Sequence, residues 1–390
     1  MKAGWEVRPL GDLIDLISGQ HIDAKDYNTD SKGVGYLTGP SDFGEIVPIV
    51  SKWTEKPKKF ARAGDILLTV KGSGVGKTNL LDIEEVAISR QIMAVRAKKI
   101  EPRFLDIVLQ SLHQYFASLA NGAAIPGISR TDVTDYQIPL PPLEEQRQIV
   151  AVLDEAFEGL SRARAHAEAN LQNARELFES IKADALDYNG PNRETVVLSD
   201  VADVTSGLVD PRKAAYAELP HVGAGNMITG SDELVGVITA REEKLISGKY
   251  LFDQSMVLYS KIRPYLRKAA RPNFGGLCSA DVYPVAPKKG VLDRDFLFHL
   301  LLGHDFTAYA ISGSDRAGMP KVNRNHMFAY TFDLPPLEEQ QKIGTVIDEA
   351  HIACSELIEL AKTKLQSVDA LRQSLLQKAF AGELLKDQDV

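Results

Sequence analysis

Seven residues, Leu140-Pro-Pro-Leu-Glu-Glu-Gln146, recur letter for letter as Leu334-Pro-Pro-Leu-Glu-Glu-Gln340. The separation of 194 residues is close to half of the 390-residue chain, so the chain must adopt a fold that can be built twice. The match extends well beyond the heptapeptide. Leu10-Gly-Asp-Leu13 through Ser18-Gly19 corresponds to Leu198-Ser-Asp-Val201 through Ser206-Gly207. Residues 66–71 align with 256–261, 89–98 with 279–288, and 104–105 with 296–297. Pro126-Gly-Ile-Ser-Arg130 aligns with Pro320-Lys-Val-Asn-Arg324. The offset creeps from 188 to 194, so only a few net insertions separate the copies. A period this long is a domain duplication and not a solenoid repeat. Features shared by both copies belong to the architecture, and features of one copy mark divergence.

Composition bounds the class. The chain is long enough for two cores. No apolar run reaches the length of a membrane span and the N-terminus lacks a signal-peptide core, which predicts a cytoplasmic protein with no membrane partner. Two distant cysteines, Cys278 and Cys354, fit a reducing compartment and give no zinc-site spacing. The net charge of −8 is unusual for a nucleic-acid binder, but its distribution matters more. Residues 143–190 carry 5 basic and 10 acidic groups, and 337–390 carry 6 and 10. Residues 1–142 (17 and 17) and 191–336 (17 and 16) are balanced. The acidity belongs to the segments that follow the heptapeptides, and the remainder is free to present a basic face.

Each copy has two parts. The first is rich in Gly and Pro and holds short β-branched runs at residues 46–50, 66–70, 235–238 and 256–259, plus one helix at 104–120 or 295–311. It reads as a strand-rich α/β globule. The second part is helical. Its apolar seam runs Ile149, Leu153, Ala156, Leu160, Ala163, Ala167, Asn170, Ala174, Leu177, Ile181 in one copy. In the other it runs Ile343, Ile347, Ala350, Cys354, Leu357, Ala361, Lys364, Val368, Leu371, Leu375. Steps of four and three held for over four heptads predict a coiled coil. The economical partner is the other copy in the same chain; a homodimeric coiled coil is the alternative. Asn170 and Lys364 are read as polar seam positions that fix register. Pro141-Pro142 and Pro335-Pro336 stiffen the approach, and the Glu pairs favour the positive end of each helix.

Two motifs suggest chemistry and are read against it. Gly72-Ser-Gly-Val-Gly-Lys-Thr78 resembles a phosphate-binding loop but is one residue short, with Lys71 where the first glycine belongs. Its aligned stretch, Ile262-Arg-Pro-Tyr265, has no glycine. Asp348-Glu-Ala-His351 spells a helicase box, yet its counterpart Asp154-Glu-Ala-Phe157 lies inside the helical seam. The histidines show no metal-ligand spacing, and no triad, amino-methyltransferase signature or nuclease metal centre is found. No catalytic or metal residues are therefore assigned.

The ordered set now resembles one family. Residues 138–149 and their second copy, the terminal Ser374-Leu-Leu-Gln-Lys-Ala-Phe-Ala-Gly-Glu-Leu384, residues 5–13, and the Pro-x-Ile/Val-Ser/Asn-Arg motif before each heptapeptide are similar to type I restriction–modification DNA specificity subunits. The resemblance covers essentially the whole chain. It implies an α+β protein with an internal pseudo-twofold: a target-recognition domain at 1–142, a spacer helix at 143–190, a second recognition domain at 191–336 and a second helix at 337–390, the helices antiparallel. It implies a non-catalytic chain that reads a bipartite site on double-stranded DNA. Its partners would be two methyltransferase subunits carrying S-adenosylmethionine and, in restriction complexes, two motor-nuclease subunits using ATP and Mg. A modification-only system is a variant of this reading. An ATP-dependent translocase and a stand-alone dimeric DNA-binding regulator are the competing ones. Candidate DNA contacts are Lys71, Ser73, Lys77 and Arg130 in the first copy and Lys261, Arg263, Arg267, Lys321 and Arg324 in the second. The difference between Gly127-Ile-Ser129 and Lys321-Val-Asn323 predicts a different approach to DNA in each half. The helix-pairing set is Ile149, Leu153, Leu160, Leu177, Ile181, Ile343, Ile347, Leu357, Val368, Leu371 and Leu375.

Overall fold

The computed structural model of the chain describes residues 4–44, 46–120, 126–204, 207–314 and 320–385. Ser206 of the repeated Ser-Gly lies outside them. The chain divides into two compact units, residues 1–166 with 364–390 and residues 167–363. Each unit therefore contains one globule and a part of both long helices.

In unit 1 the strand Glu6–Pro9 pairs antiparallel with Gln137–Leu140, so the start of the copy is clamped to the strand that leads into the heptapeptide. Four antiparallel strands in the order Ile14–Ser18, Ile92–Ala97, Ile66–Thr69, Thr78–Leu80 form one sheet. A second sheet runs Trp53–Thr54, Val34–Leu37, Glu85–Ile88, Phe60–Arg62, with a parallel pair at its centre. Unit 2 repeats the plan. Glu194–Val197 pairs with Thr331–Leu334, a four-stranded sheet contains Val282–Pro287 and Val257–Ser260, and a five-stranded sheet again has one parallel pair, Pro220–Val222 with Gly276–Cys278. The run 46–50 forms no strand, because Pro48 lacks the N–H a ladder needs and pairs only as an isolated bridge with Phe43. Of 235–238 only Ile238 enters a strand, after Gly236 turns the chain at φ +61°.

The helix expected over 104–120 is two helices, Pro102–Ser111 and His113–Ala120, broken at Leu112. Its counterpart is Arg294–Leu301 followed by His304–Ser312. The first member of each pair is capped by a carboxylate: Glu101 accepts from the Phe104 N–H, and Asp293 from those of Asp295 and Phe296.

The heptapeptide has a physical role in both units. Its last residue, Gln146 or Gln340, is buried at the first turn of a long helix. Gln146 Nε2 donates to the Pro141 carbonyl at 2.8 Å, and its Oε1 accepts from the Glu101 N–H at 2.8 Å. Gln340 Nε2 donates to the carbonyls of Pro335 (2.8 Å) and Val291 (3.0 Å), and its Oε1 accepts from the Asp293 N–H at 2.7 Å. One amide thus ties the long helix to the cap of the globule's first helix.

The long helices are Leu143–Leu186 and Leu337–Ala381. In unit 1 Ile149, Leu153 and Phe157 share a core with Leu376 and Ala379, the Arg372 guanidinium lies 4.3 Å over the Phe157 ring, and Arg164 pairs with Asp369. In unit 2 Phe178 meets His351 with ring centroids 5.2 Å apart. Early residues of one helix meet late residues of the other in both units, so the pairing is antiparallel and within one chain. Shifting by 194 maps Phe157 onto His351 and Phe178 onto Arg372, so one crossing is built twice, with the first helix supplying its phenylalanine from an early position in unit 1 and a late one in unit 2.

Six of the twenty expected seam positions give way to the residue that follows them. Ile149, Leu153, Ala156, Leu160, Ala167, Ala174, Ile181, Ile343, Ile347, Ala350, Cys354, Ala361, Val368 and Leu375 are buried or half-buried. Ala163, Asn170, Leu177, Leu357, Lys364 and Leu371 face solvent, and Leu177, Leu357 and Leu371 are about half exposed. Arg164, Leu171 and Phe178 take the alternate positions in the first helix; Ile358, Leu365 and Arg372 take them in the second. Alanine and leucine on neighbouring positions left two apolar phases open in the sequence. The larger side chains Phe157, Phe178, Leu171 and Ile358 decide between them, because they bury more area. Asn170 and Lys364 accordingly do not set register. Leu171→Asn should therefore destabilise by about 1–3 kcal/mol, while Asn170→Leu should stay within about 0.5 kcal/mol of the parent in denaturant unfolding.

Candidate nucleic-acid interface

In unit 1 five loops are tied together at one end of the sheets. The Gly72 N–H donates to the Pro126 carbonyl (2.9 Å) and that of Ile128 to Val70 (3.0 Å); Val70 in turn donates to Gln91 (2.8 Å). Ser89 Oγ donates to the Thr38 carbonyl at 2.5 Å, and Gln20 N–H to that of Ile88 at 3.0 Å. Unit 2 repeats the lacing. The N–H of Arg263 donates to Pro320 (2.8 Å), Val322 to Lys261 (2.9 Å), Lys261 to Asp281 (3.0 Å) and Ser279 to Val222 (3.0 Å).

These bonds correct the alignment of the copies. Thr69 pairs with Ile92, and Ser260 with Val282, which stands 190 residues after Ile92. Thr69 therefore corresponds to Ser260 at an offset of 191, not 190. Lys71 is the counterpart of Ile262, not of Lys261, and both form an isolated bridge, to Gly127 and Lys321 respectively. Loop 72–77 then superposes in sequence on 263–268. Gly72 (φ +92°) corresponds to Arg263 (φ +49°), and Gly76 (φ +86°) to Arg267 (φ +48°). The loops keep one backbone course, and unit 2 places arginine where unit 1 has glycine. A residue with a Cβ in the left-handed region costs roughly 1–2 kcal/mol.

The loop that resembles a phosphate-binding motif is the turn of an antiparallel hairpin and leads into the strand Thr78–Leu80, not a helix. The motif's physics, a helix N-terminus at the phosphates, is therefore absent there. The helicase-like Asp348 lies within a long helix. Burial opposes its ionisation, yet hydrogen bonds from His299 (2.9 Å) and Arg271 (2.8 Å) hold its carboxyl well below the ordinary range. Among the described residues no group of three metal-ligating side chains occurs.

The motif Pro-x-Ile/Val-Ser/Asn-Arg is a strap. Ile128 and Val322 are buried, while Ser129 and Asn323 cap the short helices Arg130–Thr134 and Arg324–Phe328. Arg130 donates to the Leu16 carbonyl (2.8 Å) and Ser18 Oγ (2.9 Å). Arg324 donates to the Val204 carbonyl (3.0 Å) and to Asp203, and stacks on Phe328. Leu16 and Val204 are counterparts, so the two arginines are the same strut.

The other candidates separate into engaged and available cations. Lys261 donates to the Ala280 carbonyl (2.6 Å) and, with Lys321, flanks Asp281 at 3.4 and 3.1 Å. Burial pushes the Asp281 carboxyl up, but the two lysines outweigh it and leave it below the ordinary value. Arg267 donates to the Leu302 carbonyl through Nε (3.0 Å) and Nη2 (2.7 Å) and pairs with Glu179. Lys71, Ser73, Lys77 and Arg263 have exposed side chains without a hydrogen-bonding or ionic partner among the described residues. Arg90 joins them on the Ser89–Gln91 turn; sequence reasoning missed it, although its counterpart Ala280 marks a charge difference inside a matched stretch.

The Leu302 carbonyl, freed by the helix break, also accepts from Lys182 Nζ at 2.9 Å. Burial, helped by the Arg267 charge, pushes the Lys182 ammonium down to about 8 from 10.5. Its counterpart in unit 1 is the apolar Leu376.

Comparison with known proteins follows this geometry. A family profile described as "Type I restriction modification DNA specificity domain" matches residues 2–168 and 192–367. The chain is similar to the type I restriction enzyme EcoDI specificity subunit of Escherichia coli, 26% identical over 417 residues that cover 98% of this chain and 89% of that one. It is 33% identical over 149 residues, 37% of this chain and 35% of the relative, to a putative type I restriction enzyme MjaX specificity subunit of Methanocaldococcus jannaschii. Among solved structures it shares its fold with a chain of a type I restriction–modification system (TM-score 0.78, 21% identity, 98% and 99% covered). It also shares it with the HsdS subunit of Thermoanaerobacter tengcongensis (TM-score 0.63, 20% identity, 98% of each chain).

Lys182 supplies a pH test of the geometry around Arg267. Its folded pKa lies below the unfolded one, so below about pH 8 both states are charged and the full burial penalty is present. Between about 8 and 10.5 the unfolded chain holds the proton that the folded chain has lost, and stability rises with pH. Lys182→Met should stabilise by about 1–3 kcal/mol at pH 7, since one pKa unit is about 1.4 kcal/mol, and the gain should vanish above pH 10.5 in denaturant unfolding. A gain independent of pH would contradict the assignment.

Proposed function

The chain belongs to the type I restriction–modification DNA specificity family, and from that premise we propose that each globule reads one half of a bipartite site on double-stranded DNA. The observation that carries this is the pair of laced loop faces. They share a backbone course down to two left-handed positions, yet expose Ser73 and Lys77 on one and Arg263 and Tyr265 on the other. A shared scaffold with unlike side chains suits two unlike half-sites, since phosphate contacts position a reader and base edges specify. Among the described residues of these loops, Lys71, Lys77, Arg90 and Arg263 are cations without a partner and able to reach DNA, whereas Arg130, Arg267 and Arg324 act as struts.

The chain itself carries out no reaction in this reading. Adenine methylation falls to two methyltransferase subunits holding S-adenosylmethionine, which must flip the base from the duplex. In a restriction complex two motor subunits would use ATP and Mg; a modification-only assembly would lack them. The two acidic helical segments suit docking of protein better than of phosphate, and the helices set the gap between half-sites.

Base-resolution methylome sequencing of a host with and without the gene tests the reading. A two-part methylated motif should appear only with the gene. ATP hydrolysis by the purified chain, or sequence-specific binding without a methyltransferase, would favour the competing readings. Four residues inserted near Ala167 add about 6 Å of helix. At about 3.4 Å per base pair, the gap should lengthen by one or two base pairs with both half-site sequences retained. Altered half-sites with an unchanged gap would reverse the roles assigned to globule and helix.

A further inference from the structure

The two left-handed arginines of unit 2 differ in one respect. Arg267 replaces a glycine that unit 1 requires twice over: a Cβ on Gly76 would lie 2.7 Å from the His113 carbonyl, and its φ is +86°. In unit 2 the strained backbone at this position is offset by four hydrogen bonds of its guanidinium, two to the Leu302 carbonyl and two to Glu179. Arg263 has no such return. Its counterpart Gly72 has nothing within 4 Å of a built Cβ, so the position is open to side chains of any size. Arg263 keeps a left-handed backbone at φ +49°, ψ +62°, directly before Pro264, where extended conformation is the relaxed one. Its guanidinium meets no partner among the described residues. Unrelieved strain in a bonded scaffold is characteristic of positions held for a ligand.

We propose that Arg263 reads a base edge, with the Hoogsteen face of guanine as its target, in the half-site recognised by unit 2; this rests on the functional reading above. A phosphate contact needs only charge, which a lysine on relaxed backbone supplies as well. A guanidinium fork on the O6 and N7 acceptors of guanine needs direction, and direction is what a fixed backbone gives. Arg263 is held on both sides. Its N–H is bonded to Pro320 at 2.8 Å, and its carbonyl accepts from Leu266 at 2.8 Å. The neighbouring Lys261 and Lys321 share Asp281, Lys268 donates to the Ala224 carbonyl, and Arg267 and Arg324 are bonded as described, so Arg263 is the cation of this loop and strap without a partner among the described residues. Unit 1 has no equivalent, so its half-site is read by other groups.

The test uses the full chain expressed with its methyltransferase partners, and reads the methylome and the melting temperature. Arg263→Gly installs the unit 1 residue and removes the strain. It should melt no lower than the parent, and one position of one half-site should lose discrimination by roughly 5- to 150-fold, the range of a lost bidentate base contact. The other half-site should be unchanged. Arg263→Lys, which keeps the Cβ and the charge but not the fork, should remain relaxed at the same position, and it decides the matter by itself if the glycine variant does not fold. An unchanged motif in both variants overturns the assignment. So does a uniform loss across all sites, with a shallower salt dependence and rescue by lysine, which marks a phosphate contact. A parent chain that yields no two-part motif removes the functional reading, and this assignment with it.

Discussion

Each unit depends on one buried amide. Gln146 and Gln340 stand where a stiff Pro-Pro segment becomes a long helix, and each satisfies groups from both sides of that junction. A buried amide left half-bonded costs about 1–3 kcal/mol, so the helix has a strong reason to leave the globule in one direction. Two further bonds reinforce the frame. The copy's opening strand pairs with the strand before the heptapeptide, and the N–H of Leu10 or Leu198 donates to the carbonyl of Tyr136 or Tyr330. The identity of the two heptapeptides follows from this shared geometry and implies no shared chemistry.

In the proposed reading, function is carried where the copies part. The laced loops keep their hydrogen bonds in both units while their side chains change, and the change includes arginine at two positions whose backbone suits glycine. Such a site changes its reading without changing its scaffold. The distinction between struts and free cations follows from the same bonds. Arg130 and Arg324 hold the strap to the sheet in both units, so their recurrence reflects architecture. Arg90 and Arg263 occur in one unit only, as expected of groups that discriminate.

Much of this was legible in the sequence. The duplication gave the two globules and the two long helices, because Leu, Ile and Ala recur at helical spacing after each heptapeptide. The phase of the seam was legible only in part. Leu177 and Phe178, or Leu357 and Ile358, are both apolar, and only the partner helix chooses between them. The one-residue error between 66–71 and 256–261 has a similar origin. A lysine aligned with a lysine looks like identity, whereas the register is set by strand partners distant in sequence. The break at Leu112 carries neither proline nor glycine and left no mark, whereas that at Leu302 is followed by Gly303, a stop signal that unit 1 does not share. Which cations are free was illegible, since a lysine's partner, such as Asp281 for Lys261 and Lys321, is known only once the loops are folded.

The central claim is that one globule reads one half-site. It is tested most directly by a chain in which a second copy of residues 1–142 replaces residues 191–336, with both helices kept, expressed with the methyltransferase partners and read by methylome sequencing. The account predicts a motif whose two halves are the same sequence, namely one of the two halves read by the parent. A motif that still contains both parental halves, or one bearing neither, would contradict it.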